Sequence, residues 1–300
     1  MLNKLLNIAN TVILGKETQI KLAISCLLAR GHLLIEDLPG MGKTTLSHLL
    51  ARLFGLEFTR IQFTSDLLPA DIIGINIFDK NKTEFKFVKG PLFSQLVLAD
   101  EINRASAKTQ SALLEAMEEY QVSVDKITYP LDKPFIVIAT QNPHHQSGTF
   151  PLPESQLDRF LMRLQLGYPD IQTERKILLT KQKKENLDKI NPVFSPQDMI
   201  KMQGEVDQVY VSEPIIDIVQ QILSLSRNHP KITTGLSPRA GISMVNAAKA
   251  WAYIHKREMV IPDDIKAVLA SVILHRLQSN ELESLTEQQL LSEFEKIPMM

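Results

Sequence analysis

The sequence predicts an α/β fold, in which helices flank a parallel sheet, followed by a smaller all-helical domain. Short apolar runs alternate with segments whose apolar residues recur at helical spacing, and this alternation is typical of a parallel sheet. Polar or glycine-rich residues follow directly on three of the runs, and strand patterns stop at about residue 170. Because parallel sheets bind ligands at the carboxyl ends of their strands, the three polar ends are expected to meet at one edge.

The composition is that of an ordinary globular protein, with 44% apolar and 22% charged residues among 300. A net charge of −1 argues against a chain drawn to nucleic acid or to an anionic membrane by a global basic field. The single cysteine, Cys26, lies in an apolar run and is expected to be a small buried hydrophobe. With no apolar stretch long enough to span a bilayer and no secretory signal at Met1, the chain is expected to be cytoplasmic.

The first half of the α/β region is predicted from short patterns. A helical pattern over residues 1–30 precedes the strand Leu33–Glu36, a glycine-rich turn and a helix that extends to Phe54. Alternation and β-branching predict a second strand over residues 58–63. A short helical turn over residues 65–71 then precedes a hairpin of residues 74–78 and 84–88, which resembles an insertion.

The second half continues the alternation. Leu96–Ala99 and Phe135–Thr140 are apolar runs expected to form buried strands, and a helix around residues 110–117 and a hairpin over 122–131 lie between them. A short helix over residues 153–160 and a strand over 161–166 close this region. The charged run Lys181–Lys189 indicates a solvated helix face or a linker, and residues 215–225, 237–255 and 262–277 carry helical patterns.

The central motif is the turn Glu36–Thr45, with glycines at positions 40 and 42. Backbone N–H groups in such a turn and the positive end of the following helix bind phosphate oxygens. Lys43 would contact the β- and γ-phosphates, and the Thr44 hydroxyl would bind Mg²⁺. The generic motif has glycine where Asp37 stands, so only its second half is met. The alternative is an ordinary strand-to-helix turn with a surface lysine.

Two acids follow the second apolar run. Asp100 is placed to hold Mg²⁺, and Glu101 to orient and deprotonate an attacking water, which are the main tasks in phosphoryl transfer. The alternative is a loop solvated by two carboxylates. Asn142 follows the third run and is expected to contact the γ-phosphate or the lytic water, unless it is only a turn-forming residue before Pro143.

Ser237-Pro238-Arg239 has the pattern of a helix start, with Ser as N-cap and Pro in the first turn. Because a cation at this end opposes the helix dipole, Arg239 is best explained by a nearby anion such as a phosphate. A solvated surface arginine is the alternative.

These residues resemble the AAA+ ATPases, which combine such a phosphate turn, acidic strand end, polar strand end and helical domain with an arginine. Within them the match is to the MoxR group, in which Asp37 is the usual residue of the turn. The group's further motifs stand here as Phe63–Asp71, Gly90–Phe93, Ala99–Ala105, Gln110–Glu119, Ala139–Pro143, Gly148–Glu154, Gln156–Phe160 and Ser237–Ala240. The resemblance covers the chain from about Gly15 to Ala240.

The resemblance implies an architecture. It implies a P-loop AAA+ core over residues 1–169, with a helix-2 insert at about 64–90 and a hairpin at about 122–131. A linker helix over residues 170–193 and an all-helical lid over 194–300 would follow.

The resemblance also implies the ligands and their contacts. ATP and Mg²⁺ would bind, with Thr44 and Asp100 at the metal. Asn142 would be the sensor 1 residue and Arg239 the sensor 2 residue. Further nucleotide contacts would come from the segment Val12–Gly15, which would place Gly15 near the adenine, and from the turn residues Pro39, Gly40, Met41, Gly42, Lys43, Thr44 and Thr45.

The site is expected to be completed by a second subunit. Inside one chain, the sequence indicates only Lys43 and Arg239 to neutralise charge on the transferred phosphoryl group, and many such enzymes add an arginine finger. The resemblance places the finger at Arg159, with Arg104 as a rival. An intramolecular pair of Arg159 with Asp158 or Glu154 is the bland alternative.

The leading functional interpretation is a Mg²⁺-dependent ATPase ring that remodels or matures a protein or metalloprotein. Relatives form rings, often hexamers, and commonly work with a partner that has a von Willebrand factor A domain. A nucleic-acid motor is the second interpretation, for which Lys80, Lys82, Lys86 and Lys89 of the hairpin form the one basic cluster. A regulatory nucleotide switch is the third, and Glu101 argues against it. The client is not predicted.

Overall fold

The strands of the protein begin close to the positions that the apolar runs predict. The computed structural model describes residues 2–80, 83–142, 150, 152–179, 187–277 and 287–297. Its strands are β1 (Leu33–Glu36), β2 (Phe58–Gln62), β3 (Gly74–Asp79), β4 (Glu84–Lys89), β5 (Leu96–Asp100), β6 (Gln121–Val124), β7 (Ile127–Pro130), β8 (Ile136–Gln141) and β9 (Met162–Leu164).

The central sheet has the strand order β2-β5-β8-β1-β9, and β2, β5 and β8 pair in parallel. Every residue of β1, β5 and β8 is buried, which explains why these strands are continuous apolar runs. The register pairs Gln62, the last residue of β2, with Asp100, the last residue of β5. The carboxyl ends of these two strands therefore lie side by side.

The helices include those that the sequence patterns predict and two, at Pro196–Asp207 and Glu287–Glu295, that the patterns did not single out. They are α1 (Leu2–Val12), α2 (Glu17–Leu28), α3 (Lys43–Leu53), α4 (Pro69–Ile73), α5 (Ala107–Glu119), α6 (Glu154–Leu157), α7 (Ile171–Leu179), α8 (Pro196–Asp207), α9 (Glu213–Asn228), α10 (Pro238–Ile254), α11 (Pro262–Ile273) and α12 (Glu287–Glu295). Short 3₁₀ turns occupy Pro91–Phe93, Ile102–Arg104 and Leu187–Lys189.

Two antiparallel pairs of strands confirm the two predicted hairpins. β3 pairs with β4 from Gly74 opposite Lys89 to Asp79 opposite Glu84, and β6 pairs with β7. The short helix before the first hairpin begins at Pro69, slightly later than predicted, because proline is favoured at the first helical position. Lys82 in the hairpin turn lies outside the described residues.

The last strand is shorter than predicted. The prediction was residues 161–166, whereas β9 ends at Leu164. The backbone N–H of Leu166 donates to the Asp37 carboxylate instead of a neighbouring strand. The short helix predicted over residues 153–160 likewise has only the four residues of α6. Residues 143–149, 151 and 180–186, which include parts of two family motifs, Ala139–Pro143 and Gly148–Glu154, and of the charged run, lie outside the described residues.

The chain divides into two compact units, each made of several segments. The first contains residues 1–20, 34–152 and 165–200, and the second contains 21–33, 153–164 and 201–300. The predicted domain boundaries, after residues 169 and 193, stay a prediction. Among the described residues, no helix combines the length and the apolar character needed to cross a membrane.

Candidate active site

The turn between β1 and α3 adopts the conformation that a phosphate-binding loop needs. Gly40 and Gly42 have φ angles of 84° and 86°, in the left-handed region that side chains disfavour. Gly42 is also the N-cap of α3, so the helix begins at Lys43 with its unpaired N–H groups facing the turn. Backbone donors and the positive helix end thus converge at this point, as the sequence predicts.

Asp37 braces this turn. One oxygen of its carboxylate accepts the N–H groups of Leu166 at 2.6 Å and Gly167 at 2.7 Å, and the other accepts the N–H of Leu38 at 2.9 Å. Three backbone donors are therefore satisfied by one side chain. This explains physically why the generic glycine is replaced here by an acid.

Lys43 is buried and held by two neutral acceptors. Its Nζ donates to the backbone carbonyl of Asp37 at 2.6 Å and to Oδ1 of Asn142 at 3.0 Å. Burial lowers the pKa of Lys43 below its ordinary value, against the opposing effect of the nearby carboxylates of Asp37, Asp100 and Glu101. Two of the three ammonium protons have protein acceptors, so one remains for a phosphate oxygen.

Thr140 fixes the acidic strand end. Its hydroxyl donates to Oδ1 of Asp100 at 2.5 Å and accepts the backbone N–H of Glu101 at 2.9 Å. Glu101 has a φ of 57°, so the chain turns sharply directly after β5. One hydroxyl from β8 therefore sets the directions of both acids.

Three side chains hold the Glu101 carboxylate. Its Oε2 accepts from Gln62 Nε2 at 3.0 Å and pairs with Arg104 Nε at 3.0 Å. Its Oε1 accepts from Asn142 Nδ2 at 3.3 Å. Asn142 thus contacts both Lys43 and Glu101, which is the place expected for a residue that senses a γ-phosphate.

Lys43, the two acids Asp100 and Glu101, and Asn142 line one open cavity of about 380 Å³ within the first unit. The three polar strand ends therefore meet at one edge, as predicted. The lining residues come from the phosphate turn, the first turn of α3, the middle of β2 and the ends of β5 and β8, namely Pro39, Gly40, Gly42, Lys43, Thr44, Thr45, Arg60, Asp100, Glu101 and Asn142.

Arg60 is the cavity residue that sequence reasoning missed. It extends from β2 and donates to Oδ2 of Asp100 from Nε at 3.0 Å and from Nη2 at 2.6 Å. Its Nη2 also donates to Gln62 Oε1 at 3.1 Å. Arg60 lines the same cavity as Lys43 and adds a positive charge there, while the expectation that Lys43 and Arg239 neutralise the transferred phosphoryl group stays a prediction.

Thr44 and Asp100 fit a magnesium site in their chemistry. Both are hard oxygen donors and both line the cavity, next to the turn expected to bind phosphate. Mg²⁺ in nucleotide sites is commonly held by one or two protein oxygens together with the phosphates. The donor set therefore suits a metal that binds with a nucleotide.

Arg159 and Arg239 both belong to the second unit. Asp158, which precedes Arg159, accepts from Arg276 Nε at 2.7 Å and from the Ser237 hydroxyl at 3.2 Å. Ser237 is the N-cap of α10 and accepts the N–H of Ala240 at 3.2 Å, so the predicted helix start at Ser237-Pro238-Arg239 is confirmed. Asp158 therefore links the turn that carries Arg159 to the helix that carries Arg239.

Two other residues predicted to contact the nucleotide, Gly15 and Met41, are not among the residues that line the cavity. Gly15 has a φ of 69° and lies against Thr173 and Asp170 of the first unit, and it is not among the residues that line the cavity. Met41 lies in the phosphate turn between the two left-handed glycines, and it too is absent from the lining. Their nucleotide contacts stay predictions. Arg104 contacts Glu101 of its own chain.

Two family patterns match the chain. Residues 32–162 match the family described as ATPase family associated with various cellular activities (AAA). Residues 224–294 match the AAA lid domain. The first match contains the whole lined cavity, and the second contains Arg239 and Arg276.

Similar proteins extend over nearly the whole chain. A Bacillus subtilis protein named YeaC, described as uncharacterized, is 45% identical over 92% of this chain and 87% of its own length. The chaperone MoxR1 of Mycobacterium tuberculosis is 38% identical over 89% of this chain and 72% of its own length. A crystal structure from Cytophaga hutchinsonii, provisionally described as an ATPase, superposes with a TM-score of 0.89 at 36% identity, covering 99% of this chain and 93% of the other.

Proposed function

Because this chain belongs to the MoxR family of AAA+ ATPases, we propose that it hydrolyses Mg²⁺-bound ATP to remodel or mature a protein or metalloprotein target. The observation that carries the proposal is the cavity in which Lys43, Asp100 and Glu101 come together at the phosphate turn. Phosphoryl transfer depends mainly on positioning and on charge stabilisation, and this cavity offers both.

The residues divide the work of hydrolysis. The N–H groups of the turn and the Lys43 ammonium bind the phosphates, while Thr44 and Asp100 hold the metal. Magnesium, when bound, supplies positive charge that neutralises the phosphate oxygens. Glu101 takes the proton of the attacking water, and the amides of Gln62 and Asn142 keep its carboxylate in place.

The two arginines of the second unit complete the site in our proposal. Arg239 contacts the phosphates, and Arg159 acts as a finger in the site of a neighbouring subunit. Arg104, which pairs with Glu101 of its own chain, is the rival candidate for this role. A finger that acts in trans needs head-to-tail contacts, and repeated contacts of that kind close into a ring.

The ring is expected to be a cytoplasmic hexamer that works with a protein containing a von Willebrand factor A domain. The relative named chaperone MoxR1 supports a protein client over a nucleic-acid one. Near-zero net charge supports the same choice, since motors on nucleic acid carry basic stripes.

An assay of phosphate release tests the proposal. We expect the wild-type protein to hydrolyse ATP with Mg²⁺ and to stop in EDTA, with no stimulation by DNA. Lys43→Ala should bind ATP weakly, because the buried ammonium that meets the phosphates is gone. Lys89→Ala, which removes an exposed lysine of the hairpin, is the matched control and should behave as wild type.

The contrary outcomes are distinct. Hydrolysis that is independent of Mg²⁺, or unaffected by Lys43→Ala, would place the activity elsewhere. Strong stimulation by DNA together with loss of stimulation in Lys89→Ala would instead support the nucleic-acid motor.

A further inference from the structure

Arg60 occupies much of the hydrogen-bonding capacity of Asp100. A carboxylate accepts about four hydrogen bonds, two at each oxygen. Arg60 uses both positions on Oδ2, through Nε and Nη2, and Thr140 uses one on Oδ1. One acceptor position is left on the side chain that the proposed function assigns to the metal.

We propose that Arg60 is a counter-ion of Asp100 that competes with Mg²⁺ for the Asp100 carboxylate. This inference rests on the proposed function, since it concerns the same site. In the absence of metal, the guanidinium neutralises one of two adjacent carboxylates, Asp100 and Glu101. When Mg²⁺ binds with nucleotide, the divalent charge competes with the single charge of Arg60 for Oδ2.

The exposure of the pair suits displacement. The side chain of Arg60 is 49% exposed, while that of Asp100 is only 10% exposed. Arg60 extends from β2, the first strand in the sheet order, so its side chain can swing away without disturbing the buried strands. Water competes for the exposed cation, so this pair is more easily opened than one in which both partners are enclosed.

The alternative is that Arg60 only positions Asp100, and the two roles predict opposite signs. If Arg60 positions the carboxylate for the metal, removing the arginine disorders the ligand and weakens Mg²⁺ binding. If Arg60 competes with the metal, removing the arginine strengthens Mg²⁺ binding. The sign of the change in metal affinity therefore decides between them.

The test measures how Mg²⁺ slows dissociation of a fluorescent nucleotide, mant-ADP, from the full-length protein. Protein loaded with mant-ADP is mixed with excess ADP at increasing Mg²⁺, and the concentration that gives half the effect is determined. We expect Arg60→Gln to lower this concentration by about three- to tenfold, as for loss of a partly exposed pair. The half-effect Mg²⁺ concentration of Arg60→Lys should lie between those of wild type and Arg60→Gln, because lysine keeps the charge but cannot make the bidentate contact.

A control separates local from general electrostatics. Lys108→Gln removes one positive charge from the exposed first turn of α5 and should leave the half-effect concentration as in wild type. Thermal unfolding of each variant verifies that it is folded.

An unchanged or raised Mg²⁺ requirement in folded Arg60→Gln would overturn the inference while the ATPase assignment stands. Wild-type protein that bound no nucleotide would overturn both.

Discussion

The pair Arg60–Asp100 in the first unit and the pair Arg276–Asp158 in the second unit have nearly equal nitrogen–oxygen distances, 2.6 and 2.7 Å. They differ in which partner is buried. Arg60 is 49% exposed and its acid 10%, whereas Arg276 is 3% exposed and its acid 23%. In the cavity the cation is therefore open to water, and in the helical unit it is enclosed.

The other hydrogen bonds of Arg276 also show that its guanidinium is enclosed by the protein. Besides the Asp158 carboxylate, Arg276 donates to the backbone carbonyls of Phe160 at 2.6 Å and Leu161 at 3.2 Å, next to Arg159, and to that of Val272 in α11. Burial lowers the pKa of Arg276, and the hydrogen bond and charge of Asp158 oppose this effect. A guanidinium satisfied by fixed carbonyls stabilises the fold, whereas one that faces a cavity can be exchanged for a ligand.

The largest expected effect comes from Arg159, which follows Asp158 in the turn held by Arg276. Arg159→Ala should slow hydrolysis by about 10³-fold or more, the range for loss of an arginine finger. The free energy of unfolding should fall far less than on loss of Arg276, because the buried pair of Arg276 with Asp158 is left intact. Steady-state phosphate release and urea denaturation measure the two quantities.

Mixing two inactive variants tests whether Arg159 acts in trans. Rings that contain both Arg159→Ala and Glu101→Gln subunits should regain part of the activity, since some sites combine an intact arginine with an intact glutamate. Absence of recovery, with subunit exchange verified, would assign Arg159 to the structure of its own subunit.

The next largest effect is expected on stability, when the buried pair of Arg276 and Asp158 is broken. Arg276→Met should lower the free energy of unfolding by about 3–5 kcal/mol, because it removes the partner of Asp158 and several carbonyl contacts. Arg30→Met, which breaks a pair whose side chains are 46% and 53% exposed, is the matched control, and should cost at most about 1 kcal/mol. Arg60→Gln should lower the free energy of unfolding by about as little as the control does. If urea denaturation gives equal losses for all three, the contrast between the pairs is wrong.

Acid should weaken the second unit through His275. Its Nε2 contacts the carbonyl of Phe160 at 3.1 Å, and burial places its pKa well below the ordinary value. Below about pH 6.5 the unfolded chain binds a proton that the native imidazole does not, so stability falls as pH falls. The slope from this group should approach about 1.4 kcal/mol per pH unit.

Comparing wild type with His275→Gln shows how much of the pH dependence of stability comes from the His275 imidazole. Urea denaturation at pH 7.5, 6.5 and 5.5 should show a shallower pH dependence for the variant than for wild type. Parallel curves would mean that His275 does not contribute.

The sequence was sufficient for the sheet and for most of the cavity. Strands buried on both faces must be apolar throughout, so β1, β5 and β8 could be located, and the polar groups after them had to meet. Lys43, Asp100, Glu101 and Asn142 lie together for this reason.

Arg60 escaped prediction because its partner is 40 residues away and on another strand. The one available signal was that Arg60 and Gln62 share a face of β2 near its carboxyl end, but the register that places Gln62 opposite Asp100 depends on tertiary packing. Arg276 and Asp158 are 118 residues apart, and no local pattern marks such a pair.

The most direct test of the central claim measures ATP binding and phosphate release by Glu101→Gln. The amide keeps the shape of the side chain but cannot accept the water proton, so the variant should bind Mg²⁺-ATP as wild type does and hydrolyse it at least about 100-fold more slowly. Glu119→Gln, at the exposed end of α5, should match wild type in both. Retained nucleotide in Glu101→Gln is the result that the account predicts, and hydrolysis at the wild-type rate would contradict it.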